Sequence, residues 1–460
     1  MPLTLRLALG NVSRSARDYT VYLAALALAT CLLYAFNASS DYLLAMPLNS
    51  DQLAVLHKAR DITGAFSVFV VLVFAVLAAY ASRFIVRRRS REFGLYALLG
   101  MRAPALAAVL VAEGALAGVA ALAAGIALGT AASPAFGAVA AFVFGVPWRL
   151  SWSFSPAAAL ATCGWFAAIE ACAVALSALH VLRSPLVELV CRDRAPERLA
   201  LAGRRGVGCA QVALAVLLLC LVWGSCVFMP GLFVLAILPM GWAAYVATSL
   251  VFRALAERLP ARIRRAPRYW NGLAAFTLRQ LEARVSSSCQ ALSCVCVLVA
   301  CAVCMACAGL AFSVGQRAAG AVDPGALAEA SLAPIGYVGI FYGEAFLVAA
   351  GAVLALTQLA QAMDARGTWA ALAELGADPG EMRAAVRAQV TAAFALPAAM
   401  AVAHDLVGLV LVRQLARGVP EDVFAVIAAL SVVGTLTLLG VFCALCVREC
   451  RRVLLGGRER

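Results

Sequence analysis

Four acidic side chains fall inside stretches otherwise too apolar to hold them: Glu113, Glu170, Glu344 and Asp405, the last preceded by His404. An ionisable group at the centre of a membrane helix costs roughly 2.5 to 3.5 kcal/mol on insertion scales, so each needs a partner or a task. Glu344, His404 and Asp405 together have the chemistry of a proton relay, as an ion-coupled secondary transporter would need. Glu113, in the arginine-rich third of its span, suits a hydrogen bond to a neighbouring helix or to an arginine, or a conformational switch. Other chemistry is excluded. Lys58 is the one lysine among 37 basic residues and stands between His57 and Ala59, so the chain has no Gly-Lys-Ser/Thr loop to bind nucleotide phosphates. Pyridoxal-type catalysis has one candidate lysine, and His57, His180 and His404 do not form a zinc-protease or His-rich metal motif.

The elements that must position these residues are membrane helices. The chain has 460 residues, 64% of them hydrophobic and 13% charged, with a mean hydropathy of +0.93. A soluble domain is about half apolar, so an all-α polytopic membrane protein is predicted. Stretches with the length and hydropathy of spans run over about 20–37, 63–82, 104–131, 156–182, 207–226, 232–252, 287–312, 334–361, 386–412 and 423–447. Pro239 is expected to interrupt the sixth.

Basic residues orient the ten spans. With the N-terminus inside, 31 of the 37 fall in inner segments, which predicts both termini in the cytoplasm. That distribution also accounts for the net charge of +13 through anionic lipid, without nucleic acid as a partner. The 19 residues before the first span argue against a cleaved signal. Sixteen cysteines lie almost wholly within spans, six of them scattered around the seventh, and read as small packing residues instead of a disulfide framework or metal site.

The sequence repeats itself in parallel. Residues 91–101 return in outline at 367–377, with Leu99-Gly100 aligned on Leu375-Gly376, and the same offset of 276 sets Glu113 opposite Gln389. More weakly, residues 7–11 match 275–280. The predicted organisation is an amphipathic N-terminal helix (1–19), a four-span repeat (20–182), two linking spans with basic loops (183–286), a second four-span repeat (287–447) and a basic tail (448–460). In each repeat a span leads into a short amphipathic inner helix that ends in Leu-Gly before a long span. In the first, Phe93, Leu95, Tyr96, Leu98 and Leu99 form its apolar side, while Arg87, Arg88, Arg89 and Arg91 are expected at phosphate level. Gly114, Gly118, Gly125 and Gly129 are expected to line one side of the third span for close helix packing.

The segment Arg88-Arg89-Ser90-Arg91-Glu92-Phe93-Gly94-Leu95-Tyr96-Ala97-Leu98-Leu99-Gly100, followed by Glu113 and the glycines Gly118, Gly125 and Gly129, resembles the signature of the FtsX-like permease family. The ten-span layout is similar to the bacitracin-export type of ABC permease, and the second copy of the motif is degenerate. The resemblance implies a plasma-membrane subunit that binds no cofactor itself and couples to two copies of a separate ABC ATPase holding ATP and magnesium. It implies coupling positions at Arg91, Glu92, Phe93, Gly94, Leu95, Leu99 and Gly100, and at Glu374, Leu375 and Gly376. A second permease chain or a sensor kinase would be further partners, and export or extraction of a hydrophobic or peptide substrate, with resistance to antimicrobial peptides, the task. The chain departs from the type in having only about 21 residues (313–333) where the type carries a large external domain. A partner-free ion-coupled transporter and a non-transporting scaffold or sensor partner are the alternatives.

Overall fold

Without water to satisfy peptide groups, an apolar chain crosses a membrane as helices that close their own hydrogen bonds. The computed structural model obeys that rule. It describes residues 10, 16–38, 41, 71, 74–75, 78, 82, 89, 92–144, 152, 154–183, 205–265, 267–270, 272–315 and 333–455. The helices are α1 (Ala16–Asn37), α2 (Ala103–Phe144), α3 (Pro156–Arg183), α4 (Arg205–Phe228), α5 (Pro230–Leu235), α6 (Ile237–Ile263), α7 (Ala274–Leu310), α8 (Ala333–Glu374), α9 (Pro379–Leu415) and α10 (Glu421–Leu455). A further helical stretch covers 92–98.

Among the described residues, eight helices are long and apolar enough to cross a membrane: α2, α3, α4, α6, α7, α8, α9 and α10. The apolar part of α1 is shorter, over Tyr22–Asn37. The predicted second span, 63–82, lies outside the described residues except at positions 71, 74, 75, 78 and 82.

Two boundaries differ from the sequence-based expectation. The sixth span starts at Ile237 instead of 232, because Pro239 sits in the first turn of α6, where its missing N–H has no helical partner to lose. The apolar stretch after the third span continues α2 to Phe144, with Pro134 inside the helix. A third difference concerns the second repeat. No separate inner helix follows its span; α8 is one helix of 42 residues, about 63 Å at 1.5 Å per residue, and runs unbroken to Glu374.

The chain forms two compact units, residues 1–198 with 329–338 and residues 199–328 with 339–460. In the first, α1 packs on α2 and α3, and α2 on α3. In the second, the linking helices pack with the second repeat: α4 lies on α6 and α9, α6 on α7, and α7 and α10 on α9.

Close approach sets this packing. A Cβ on Gly125 would collide with Thr30 and lie 2.7 Å from the Ala27 carbonyl oxygen, and one on Gly129 would lie 2.6 Å from the Tyr34 ring, so both glycines admit α1. Gly114 and Gly118 face α3 instead, at Val174, Phe166 and Glu170. The four glycines lie within about 60° of one another around the α2 axis and serve two neighbours in turn, α3 nearer the start of the helix and α1 further along. In the second unit Gly339 and Gly343 of α8 meet the backbone of α7 at Gly309, Met305 and Ala302. Helix ends are closed locally: Ser155 caps α3 through its hydroxyl to the Ala158 N–H (3.1 Å) and bonds Asp41, and Arg413 donates to the carbonyls of Ala416 and Val419 after α9.

Candidate functional site

The expected apolar side of the helical stretch 92–98 is only partly buried. Phe93 is fully enclosed, but Leu95, Leu98 and Leu99 are exposed, with Leu99 at 77%. Arg91 lies outside the described residues. The segment ends because Gly100 adopts φ 92°, a left-handed conformation that a side chain disfavours. The Gly100 N–H then bonds the Ala97 carbonyl (3.1 Å), and the Met101 N–H bonds the Tyr96 carbonyl (3.0 Å), which satisfies carbonyls the helix end leaves open.

The second copy of the motif builds the same turn. Gly376 has φ 87°, its N–H bonds the Ala373 carbonyl (3.2 Å), and the Ala377 N–H bonds the Leu372 carbonyl (3.3 Å). Leu375 is 85% exposed and Trp369, opposite Phe93 in the repeat, is fully buried. Trp369 holds Phe276 of α7 edge to face, with centroids 5.3 Å apart. Asp378, two residues past the glycine, caps α9 by accepting the Glu381 N–H at 2.9 Å. Thus the degenerate repeat keeps the geometry after losing most of the residues.

What fixes the first segment is an arginine that the sequence reading put at the phosphate level. Arg89 is 2% exposed and pairs with Glu113 of α2, itself 1% exposed. The same guanidinium donates through Nε to Glu92 Oε2 (2.8 Å), has its Nη2 2.6 Å from that oxygen, and lies over the Phe93 ring with its carbon 5.2 Å from the centroid. A planar guanidinium can direct the N–H groups of its fork at two carboxylates while its flat face lies on a ring. The expected arginine partner of Glu113 is therefore present.

At the repeat-equivalent positions the charges are gone. Ala365 stands for Arg89, Thr368 for Glu92 and Gln389 for Glu113. Gln389 is 1% exposed, and its amide has no hydrogen-bond partner among the described residues. Asp364 instead lies near Arg284 of α7, whose guanidinium is lowered from its ordinary pKa chiefly by burial and raised in part by that carboxylate.

The remaining intramembrane groups make helix contacts. Tyr22 of α1 donates to Glu170 of α3 at 2.7 Å. Trp223 of α4 donates its indole N–H to His404 Nδ1 (3.1 Å), so the ring proton sits on Nε2, which faces the Thr248 hydroxyl of α6 at 3.0 Å. That hydroxyl donates onward to the Ala244 carbonyl (2.7 Å). His404 is thereby held neutral in a satisfied network across three helices. Asp405 turns to α7, accepting a weak contact from the Cys304 thiol at 3.9 Å. Glu344 is exposed on α8 and makes no hydrogen bond or ion pair among the described residues. These three residues thus point to different surroundings. No cluster of three or more His, Cys, Asp or Glu that would hold a metal occurs among the described residues.

Sequence reasoning missed Arg89, Tyr22, Trp223, Thr248 and Trp369 as partners. The offset of 276 carried a signal for Trp369, since it falls opposite Phe93.

Long apolar helices with paired polar groups inside them define an α-helical, membrane-embedded protein. Residues 64–186, which include the Leu99-Gly100 turn, Glu113 and all of α2 and α3, match the family model for the FtsX-like permease C-terminal domain. The bacitracin export permease protein BceB of Bacillus subtilis (strain 168) is 32% identical over 124 residues. That alignment covers 27% of this chain and 18% of the relative, so the matched stretch spans less than a fifth of that protein. Over this stretch the chain is similar to the FtsX-like permease family.

Proposed function

We propose that this chain is the membrane permease subunit of an ABC transporter in a bacterial plasma membrane, with both termini in the cytoplasm. The observation that carries the reading is the duplicated turn. Two exposed leucines, Leu99 and Leu375, stand on left-handed glycine turns of matching hydrogen-bond pattern, each at the end of a segment that leads directly into a long span. An exposed leucine on a turn of defined geometry is a knob for a hydrophobic socket, and two such knobs suit a partner present twice. The partner is a cytoplasmic ABC ATPase that binds ATP and magnesium; its closure moves the 92–98 segment and the end of α8, and α2 and α9 carry the motion outward. Glu92, Phe93, Gly94 and Leu95 shape the first knob, and Glu374 and Leu375 the second.

The substrate class is a hydrophobic or peptide molecule extracted or exported at the outer face, with antimicrobial-peptide resistance as the physiological task. The name of the bacitracin-exporting relative supports that choice. A sensor kinase or second permease chain would contribute what the short outer connections of this chain do not offer. The ion-coupled alternative is weakened by the neutral tautomer in which Trp223 and Thr248 hold His404.

The test is purification of the tagged chain from its native membrane in mild detergent, with identification of the proteins that accompany it. A soluble subunit bearing a Walker A loop, lost when residues 92–95 are replaced by alanine, is the expected result. A chain that emerges alone and transports on an ion gradient would overturn the reading.

A further inference from the structure

Resting on that reading, we propose that the two turns are mechanically unequal, and that Arg89 is the positioning residue that ties the first one to its span. Three observations carry this. Arg89 bridges Glu92, in the helical stretch 92–98, and Glu113, in the first third of the following helix, with both ends of the Arg89–Glu113 pair almost fully buried. Its guanidinium also lies on Phe93, the one fully buried large side chain of the segment. The second turn has the same backbone but neutral residues at all three charged positions, Ala365, Thr368 and Gln389.

The two arrangements transmit force differently. In the second repeat, displacement of Leu375 reaches α9 through the Gly376 turn, with neutral residues at 365, 368 and 389. In the first, displacement of Leu99 reaches α2 through the Gly100 turn and through the ion pair. The turn alone can bend, because Gly100 has open space around it. The ion pair removes that freedom and makes the 92–98 segment and α2 move together. A desolvated pair suits this task, since an angular change at Arg89 breaks its contact with Glu113 in a place closed to water.

The experiment uses the full chain in complex with its ATPase, reconstituted in nanodiscs, and reads permease-dependent ATP hydrolysis. The double variant Arg89→Met/Glu113→Leu removes both charges together, a change that buried ion pairs tolerate without loss of fold. We expect the ATPase to bind in unchanged amount, the ATP concentration at half-maximal rate to stay the same, and the maximal rate to fall about tenfold, within the usual range of coupling between sites. Gln389→Leu, at the equivalent position of the other repeat, should leave the rate within about twofold. A purely structural ion pair would leave the double variant at the wild-type rate once folded, and that result overturns the proposal; so does an equal loss in Gln389→Leu. If the double variant does not fold, Arg89→Lys, which keeps the charge but loses the fork, should show a smaller fall in maximal rate with ATPase binding intact; a wild-type rate there overturns the proposal equally. Absence of any ATPase from the wild-type complex is a separate outcome, which defeats the permease reading itself and the proposal with it.

Discussion

Gly100 and Gly376 stand 276 residues apart and end their helices in the same left-handed turn, at φ 92° and 87°. The bonds around them correspond one for one: Leu99 to Leu95 and Leu375 to Ala371 are both 3.0 Å, and the next two pairs follow the same offset. Only two residues in five are shared between Leu95-Tyr96-Ala97-Leu98-Leu99 and Ala371-Leu372-Ala373-Glu374-Leu375, so the turn is preserved by its glycine and not by side-chain packing.

Replacing either glycine with alanine should therefore cost about 1 to 2 kcal/mol, the penalty of a left-handed residue with a Cβ, while open space leaves the rest of the fold undisturbed. Asparagine should cost less than alanine at both positions. Thermal unfolding in detergent, compared across the two pairs of variants, measures this.

Gly125→Ala should destabilise by about 1 to 3 kcal/mol, because the new methyl meets Thr30 and the Ala27 carbonyl of α1 and neither belongs to a flexible side-chain end. Gly434→Ala, which meets nothing within 4 Å, should be neutral or mildly stabilising. The same unfolding assay on the two variants gives the comparison.

Glu113→Gln should lower stability by about 1.5 to 3 kcal/mol, since it leaves the buried Arg89 guanidinium with Glu92 as its charged partner and a neutral amide in place of Glu113. The double variant Arg89→Met/Glu113→Leu should recover most of that loss. A double-mutant cycle on unfolding midpoints reads the coupling between the two side chains.

How far the sequence reached follows from these residues. Helices, eight of the apolar spans and the two matching Leu-Gly turns were readable because hydropathy and local spacing set them. Partners across the bundle were not readable. Arg89 sits among Arg87, Arg88 and Arg91, identical in chemistry, and only the packed helices decide which one turns toward Glu113. Tyr22 and Glu170 are separated by 148 residues, and Trp223 and His404 by 181, distances over which one chain carries no local signal. The extent of α8 was not legible for a different reason: a more polar stretch, 361–374, follows the apolar one, and its Gly367 weakens a helix without ending it, so a change of composition is not a change of element.

His404→Ala should cost about 1 to 2 kcal/mol of stability, the scale of interhelical hydrogen bonds in membranes, and leave function dependent on ATP and indifferent to an imposed proton gradient. Transport measured in vesicles with and without that gradient, for wild type and variant, checks both halves of the statement.

The central claim is that Leu99 and Leu375 are the two contact points for a nucleotide-hydrolysing partner, and site-directed photo-crosslinking tests it most directly. A photoreactive residue placed at 99 or at 375 in the intact membrane should, at either position, form a covalent adduct with one and the same soluble protein carrying a Walker A loop, while the exposed Val433 of α10 should not. Adducts with lipid alone at both positions would contradict the account.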